Sequence, residues 1–144
     1  MRHPIVAAML LCLAACQSPA VATAPASHDA AGKQFAPPSA GKGAVYFYNP
    51  AGASPVLDVT IDGLEIGRLG TQTWLRVDLA TGHHVLRCRG AKTANARWVN
   101  IAAGEIRFVD VQMLPGRDAC TLRETDAAAG RAAVLQGRRA LQNQ

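Results

Sequence analysis

The sequence predicts a mainly β fold: an antiparallel β-sandwich of about seven to eight short strands with a C-terminal helix. Three observations carry that expectation. From Ala44 onward, apolar residues recur at every second position in short runs, the pattern of half-buried strands. Turn pairs punctuate those runs at Asp62-Gly63, Thr81-Gly82, Ala103-Gly104 and Pro115-Gly116. After Asp126 the alternation stops, and an Ala-rich segment places Val134 and Leu141 on a shared helical face.

The front of the chain reads as an address. Arg2 and His3 give a positive start, and residues 5–13 form an apolar run. A membrane-crossing helix needs about 20 residues, so the run fits the apolar core of a secretory signal instead. Leu13-Ala14-Ala15-Cys16 then reads as the lipobox of a bacterial lipoprotein. The expectation is that residues 1–15 are cut away as a signal peptide and that Cys16 carries a diacylglycerol thioether. The alternative is a plain secreted chain in which Cys16 happens to follow the cut. Cys12 leaves with the signal, which removes a Cys12/Cys16 metal pair. Two or more acyl chains anchor stably, at ~0.8 kcal/mol per buried methylene. Gln17 stands where Asp commonly retains such proteins at the inner membrane. The outer membrane, with the body facing the periplasm, is therefore expected. Residues 16–43 are rich in Ala, Pro and Ser and read as a flexible tether, with ends about 30 Å apart as a coil.

Residues 44–125 carry the strands. AVYFYN (44–49) is aromatic and β-branched, and Pro50 ends it. VLDVTI (56–61) points Leu57, Val59 and Ile61 one way, with Asp58 and Thr60 the other. Asp62-Gly63 is a favoured two-residue hairpin turn, and LEIGRL (64–69) returns. Gly67 within it predicts a bulge or a close backbone approach. TWLRVDL (73–79) sets Leu75, Val77 and Leu79 against Trp74, Arg76 and Asp78. HHVLRCR (83–89) sets His84, Leu86 and Cys88 against His83, Val85, Arg87 and Arg89. ARWVNI (96–101), EIRFVDVQM (105–113) and ACTLRE (119–124) complete the set. In residues 126–144, Asp126 caps the expected helix, which spans 126–141. Gly130 and Gly137 weaken it by about 1 kcal/mol each.

The formal charge is +5, or about +4 once Arg2 has left with the signal. Such a surface suits anionic lipid, lipopolysaccharide, acidic cell-wall groups or an acidic protein partner. The simpler reading is a solvated face. The chain has no nucleic-acid recognition motif, and no nucleic-acid partner is expected. After processing, Cys88 and Cys120 remain, each on the core-facing side of its strand. An oxidising compartment favours a disulfide between them; two separate buried thiols are the alternative.

Taken in order, AVYFYNP, VTIDGLEIGRL, LRVDLATGHHVL and IAAGEIRFVDVQ resemble a small bacterial lipoprotein domain, the domain of unknown function 2846 (DUF2846). The positions that carry the likeness are Tyr46, Tyr48, Pro50, Asp62, Gly63, Gly67, Gly82, His84, Leu86, Gly104 and Glu105. Members often have Arg before the Pro, where this chain has Asn49. The resemblance implies a β-sandwich on a lipid anchor and brings no reaction, substrate or catalytic residue.

No catalytic constellation stands out. Serine after the tether is confined to Ser54, which lies in no nucleophile elbow. His84 and Cys88 lie about 13 Å apart along one strand face, too far for a dyad. Asp58, Asp62, Glu65, Asp78 and Asp110 fall mainly at turns or outward positions. His83 and His84 project to opposite faces and cannot easily chelate one ion. His84 is expected as a partly buried ring, hydrogen-bonded near a turn. No metal or cofactor is expected. Trp74 with Arg76 is a candidate outward contact patch, or else an aromatic covered by the tether or the helix. The functional expectation is a non-enzymatic lipoprotein with a binding or structural role in the cell envelope. A module binding a cell-wall or lipopolysaccharide component is the alternative. A periplasmic hydrolase ranks last.

Overall fold

Alternating strands such as 57–61 need something to pack their apolar side against, and in this chain they pack sheet on sheet. The computed structural model describes residues 21–52, 54–90, 93–117 and 119–143. Along the chain come α1 (Ala26–Gly32), β1 (Lys42–Asn49), β2 (Leu57–Ile61), β3 (Leu64–Leu69), β4 (Thr73–Ala80) and β5 (Gly82–Arg89). Then follow β6 (Ala94–Ile101), β7 (Ile106–Met113), β8 (Cys120–Thr125), α2 (Ala127–Gln136) and β9 (Arg138–Arg139). One sheet has five strands in the order β8-β7-β1-β4-β9; the other has four in the order β3-β2-β5-β6.

The sheets face each other across a core that includes Phe47, Leu57, Val59, Leu75, Leu86, Val109 and Leu122. Two pairings depart from the antiparallel expectation, because β1–β7 and β4–β9 run parallel. Both follow from connections that change layers. The turns at Thr81-Gly82 and Ala103-Gly104 carry the chain from one sheet to the other rather than back along the same sheet. Helix α2 likewise carries it from one edge of the five-stranded sheet to the opposite edge.

Asp62 (φ 51°) and Gly63 (φ 85°) form the hairpin turn joining β2 to β3, with both residues in the left-handed region that a type I′ turn requires. The bulge is at Ile66: Thr60 pairs with Glu65 and Val59 with Gly67, which leaves Ile66 between them. Cys88 on β5 and Cys120 on β8 form a disulfide, Cα to Cα 6.1 Å, that links the two sheets.

The second face of the five-stranded sheet is also covered. Tyr46, Tyr48, Trp74 and Phe108 point away from the sandwich core and form a separate buried cluster with Val134 of α2, packed by Phe35. Tyr46 stacks on Phe108 at 5.2 Å and meets Trp74 at 5.7 Å and Phe35 at 5.4 Å. Such ring pairs each contribute about 0.5–1.5 kcal/mol beyond the area they bury. Glycine lets the helices come this close. A Cβ on Gly32 or Gly130 would stand 2.2 Å from Trp74 or Phe108 respectively. Gly130, a weak point by helix propensity, is thus the residue that seats α2.

Two boundaries move. Residues 21–43 are not a loose tether. Ala24 donates its N–H to Arg139 O at 2.9 Å, and Leu141 donates to Ala22 O at 2.8 Å. Helix α1 lies against Trp74, and Phe35 takes a left-handed φ of 52° to put its ring on Tyr46. Composition hid this, because a few anchors (Val21, Phe35) and the close-fitting Gly32 hold an otherwise Ala/Pro/Ser-rich segment. The C-terminal helix ends at Gln136, not near 141. Extended backbone at Gly137 ends it, and Arg138 and Arg139 join β4 as an edge strand. Asp126 does cap α2, its side chain accepting from the Ala129 N–H at 2.8 Å.

Replacing both Cys88 and Cys120 with Ser is expected to remove ~3–4 kcal/mol of stability, since the bridge closes a loop of 32 residues. Gly130→Ala gains about 1 kcal/mol of helix propensity. It loses more, about 1–3 kcal/mol, by driving a methyl into the base of the Phe108 ring. Urea titration of each variant reads both; a more stable Gly130→Ala protein would contradict the packing described.

Candidate functional site

Of the two readings of Trp74 with Arg76, the structure shows the covered aromatic and not the surface patch. Trp74 is 0% exposed. The side of β4 that alternation marks as outward faces the helices, so it belongs to the interior. Arg76 lies at the rim of that interior, its guanidinium carbon 5.4 Å from the Tyr46 ring centre. Its Nε donates to Asp78 Oδ1 at 3.0 Å and its Nη1 to the Tyr46 hydroxyl at 3.1 Å. That hydroxyl in turn donates to Gly32 O at 2.8 Å, linking β1 to α1. Burial pushes the Tyr46 hydroxyl above its ordinary pKa, and the nearby Arg76 charge only partly opposes it. The group therefore stays a neutral donor.

The exposed aromatic is Trp98, on β6, with 74% of its surface open. Leu86 and Cys88 of β5 point into the core, so Val85, Arg87 and Arg89 point outward, and Trp98 lies opposite Val85. Thr60 and Asp58 of β2 continue the same face opposite Arg87 and Arg89. Asp58 pairs with Arg89 at 3.0 Å, whereas Arg87 bonds no carboxylate among the described residues. No helix covers this side of the four-stranded sheet among the described residues. The result is an open face carrying one tryptophan and two arginines, Arg87 and Arg68, that bond no carboxylate among the described residues, bordered by the edge strand β6. In the sequence the ring is one position from Val99, whose burial fixes Trp98 as outward. What was missing was which sheet the helices cover.

His84 is held at both nitrogens, Nδ1 2.6 Å from Asp62 Oδ2 and Nε2 2.8 Å from Ala80 O. Both partners are acceptors, so the ring fills both roles only as the charged, doubly protonated form. The bond to Asp62 raises the His84 pKa, with burial working against it; the same bond lowers the Asp62 pKa. With Nε2 committed to a carbonyl, the pair has no free base to offer. It fastens the β2–β3 turn to the start of β5. His83 is exposed and points away from it.

Of the carboxylates, Asp110 is buried, not outward: it is 3% exposed and accepts from Gln112 and from Arg123 at 2.9 Å. Glu124 binds Arg107 and Arg97 at 2.8 and 2.9 Å. Burial works against its charge, but the two arginines hold its pKa below the usual value. Among the described residues, His, Cys, Asp and Glu gather in no group of three suited to a metal ion. No helix among them is long and apolar enough to cross a membrane. Cys16, the expected lipidation site, and residues 1–15, the expected signal peptide, lie outside the described residues.

No protein-family model matches this chain, and neither a curated protein nor a solved structure matches it.

The His84–Asp62 pair sets a pH dependence. Because the His84 pKa is raised on folding, its contribution is complete below its ordinary value of 6.5. It is lost as pH rises through the folded value. Wild-type stability should therefore fall as pH rises from the ordinary value of 6.5 through the raised folded value, by the ~0.5–1 kcal/mol of a solvent-screened pair. Urea titrations across that range should show the slope in the wild type and not in His84→Gln. An identical slope in both would contradict the pairing.

Proposed function

We propose that this chain is a non-enzymatic lipoprotein, held to the periplasmic leaflet of the outer membrane by acyl chains on Cys16. The sandwich then serves a binding or structural role in the cell envelope, as the likeness to DUF2846 also suggests. The lipobox Leu13-Ala14-Ala15-Cys16 supports the anchor. One observation carries the binding role: Trp98 stands 74% exposed on an open sheet face beside Arg87. Every other large aromatic in the cores is packed away. A lone exposed tryptophan beside a cation is the kind of anchor that dominates contact energy at interfaces. The adjoining edge strand β6 offers unpaired backbone groups for strand addition. The preferred partner is an envelope protein. A cell-wall or lipopolysaccharide component is the second reading, favoured by the uncompensated charge of Arg87.

The anchor reading also fixes a distance. Four residues, 17–20, separate Cys16 from Val21, which packs against Gly70 and the sandwich core. Five residue steps reach at most about 17 Å, so the body would be held close to the lipid rather than on a long leash.

Mass spectrometry of the mature protein should find an acylated Cys16 at its N-terminus; a chain retaining Met1 would overturn the anchor. Trp98→Ala should leave the melting temperature unchanged, because the ring is exposed. It should weaken capture of envelope partners about tenfold or more. Capture that survives high salt fits a protein partner, and salt-sensitive sedimentation with peptidoglycan or lipopolysaccharide fits the second reading. Undiminished binding by Trp98→Ala would remove this face from the account.

A further inference from the structure

We infer that the groove beside Arg139 is a binding site for a phosphate group, carried by a lipid headgroup or by a free phosphate species. The guanidinium of Arg139 is fixed in place without being neutralised. Its Nη1 donates to His28 O at 3.2 Å and its Nη2 to Gln142 Oε1 at 2.7 Å. Its carbon lies 5.4 Å from the centre of the Trp74 ring. Gln142 is itself locked, its Nε2 donating to Arg76 O at 2.7 Å. Every partner of the Arg139 side chain is neutral, and no carboxylate bonds it among the described residues. Asp29, the carboxylate nearby, is engaged elsewhere: it accepts from the backbone N–H of Arg139 at 2.7 Å and from Lys33 at 2.8 Å.

Donors remain unused around this charge. Arg139 lines two adjoining grooves of about 370 and 520 Å³; Arg76 and its partner Asp78 border the first, and His28 and Gln142 border the second. The Nη2 of Arg76 and the Nε of Arg139 bond nothing among the described residues. The Trp74 ring lies fully buried beneath Arg139, and its indole N–H helps to hold the Asp29 pKa below its ordinary value. Two guanidinium groups with unused N–H donors suit a tetrahedral oxyanion, which presents more oxygens than a planar carboxylate. Arg76, Arg139 and Lys33 outnumber Asp29 and Asp78 here, so an incoming anion meets net positive charge.

The location favours a headgroup as the source. The carbonyl of Arg139 is bonded by Ala24, eight residues after Cys16 and hence within about 27 Å of it. That choice of source rests on the anchor proposed above; the anion site itself does not.

The two tryptophans supply the test, because Trp74 lies under this site and Trp98 lies on the four-stranded sheet's outer face. The full mature chain, with its indoles labelled with nitrogen-15, is titrated in neutral detergent with inorganic phosphate and with dihexanoylphosphatidylglycerol. Both probes should move the Trp74 indole resonance saturably and leave that of Trp98 in place. Arg139→Gln should weaken binding about tenfold or more, the scale of a lost charge-assisted pair. Phosphatidylglycerol binding about tenfold tighter than phosphate identifies a headgroup as the ligand, and equal affinity identifies a free phosphate species. A Trp74 resonance unmoved by either probe, a response at Trp98 alone, or full binding by Arg139→Gln would overturn the site. Should Arg139→Gln fail to fold, Arg139→Lys decides: it keeps the charge and loses the fork, so binding must fall. If Cys16 carries no lipid, the phosphate titration still tests the groove.

Discussion

Strand β1 is buried on both faces, and the rest of the structure is arranged around that requirement. Val45 and Phe47 face the opposite sheet, while Tyr46 and Tyr48 face the other way. Sheet-on-sheet packing alone would leave the two tyrosines in water. Helices α1 and α2 cover them, and the aromatic cluster fills the gap at ring-to-ring distances of 5.2–6.0 Å. Glycines at 32 and 130 permit the approach; bulkier residues would lift each helix off the ring it rests on. The outcome is three layers, with the five-stranded sheet in the middle.

That arrangement determines where chemistry can reach the surface. The middle sheet is exposed only at its rim, where Arg76 and Arg139 sit over the edges of the Tyr46–Trp74 pair. The four-stranded sheet keeps one open face, and Trp98 stands on it. At one edge the sheets are tied by the Cys88–Cys120 bridge and by Arg97 reaching Glu124. At the other edge the chain's two ends meet: Ala22 and Ala24 bond the C-terminal strand, and Asn143 donates to Ile66 O. Residues 22–24 and the exposed tryptophan therefore lie at opposite edges of the sandwich.

The strands were legible because a half-buried strand writes its burial as alternation, and the turn pairs write their backbone angles as Gly and Asp. Residues 56–69 show both, down to the bulge at Ile66 that Gly67 marks. Inward-facing Cys88 and Cys120 could also be read, although their bridging depends on geometry between sheets. Three features were not legible, and all concern layers. Alternation separates two faces but does not say that both are covered, so Trp74 reads as outward although it is interior. Residues 21–43 look like a tether because an Ala-rich segment that packs through one phenylalanine and one glycine has the composition of one that does not pack. The uncompensated charge of Arg139 depends on neighbours about 65 and 110 residues away, and no local pattern records them.

The coverage of the middle sheet by residues 21–35 is the point on which the proposed short anchor, the Arg139 groove and the interior placement of Trp74 all depend. Trp98→Phe leaves Trp74 as the sole tryptophan, excited selectively at about 295 nm, without touching a core. In that variant the emission should be blue-shifted and resistant to acrylamide quenching, and it should move to the red in the same urea transition that removes the β-sheet circular dichroism. Ready quenching in the native protein, or a red shift that precedes loss of the sheet, would mean that the N-terminal segment is loosely held and would contradict the account.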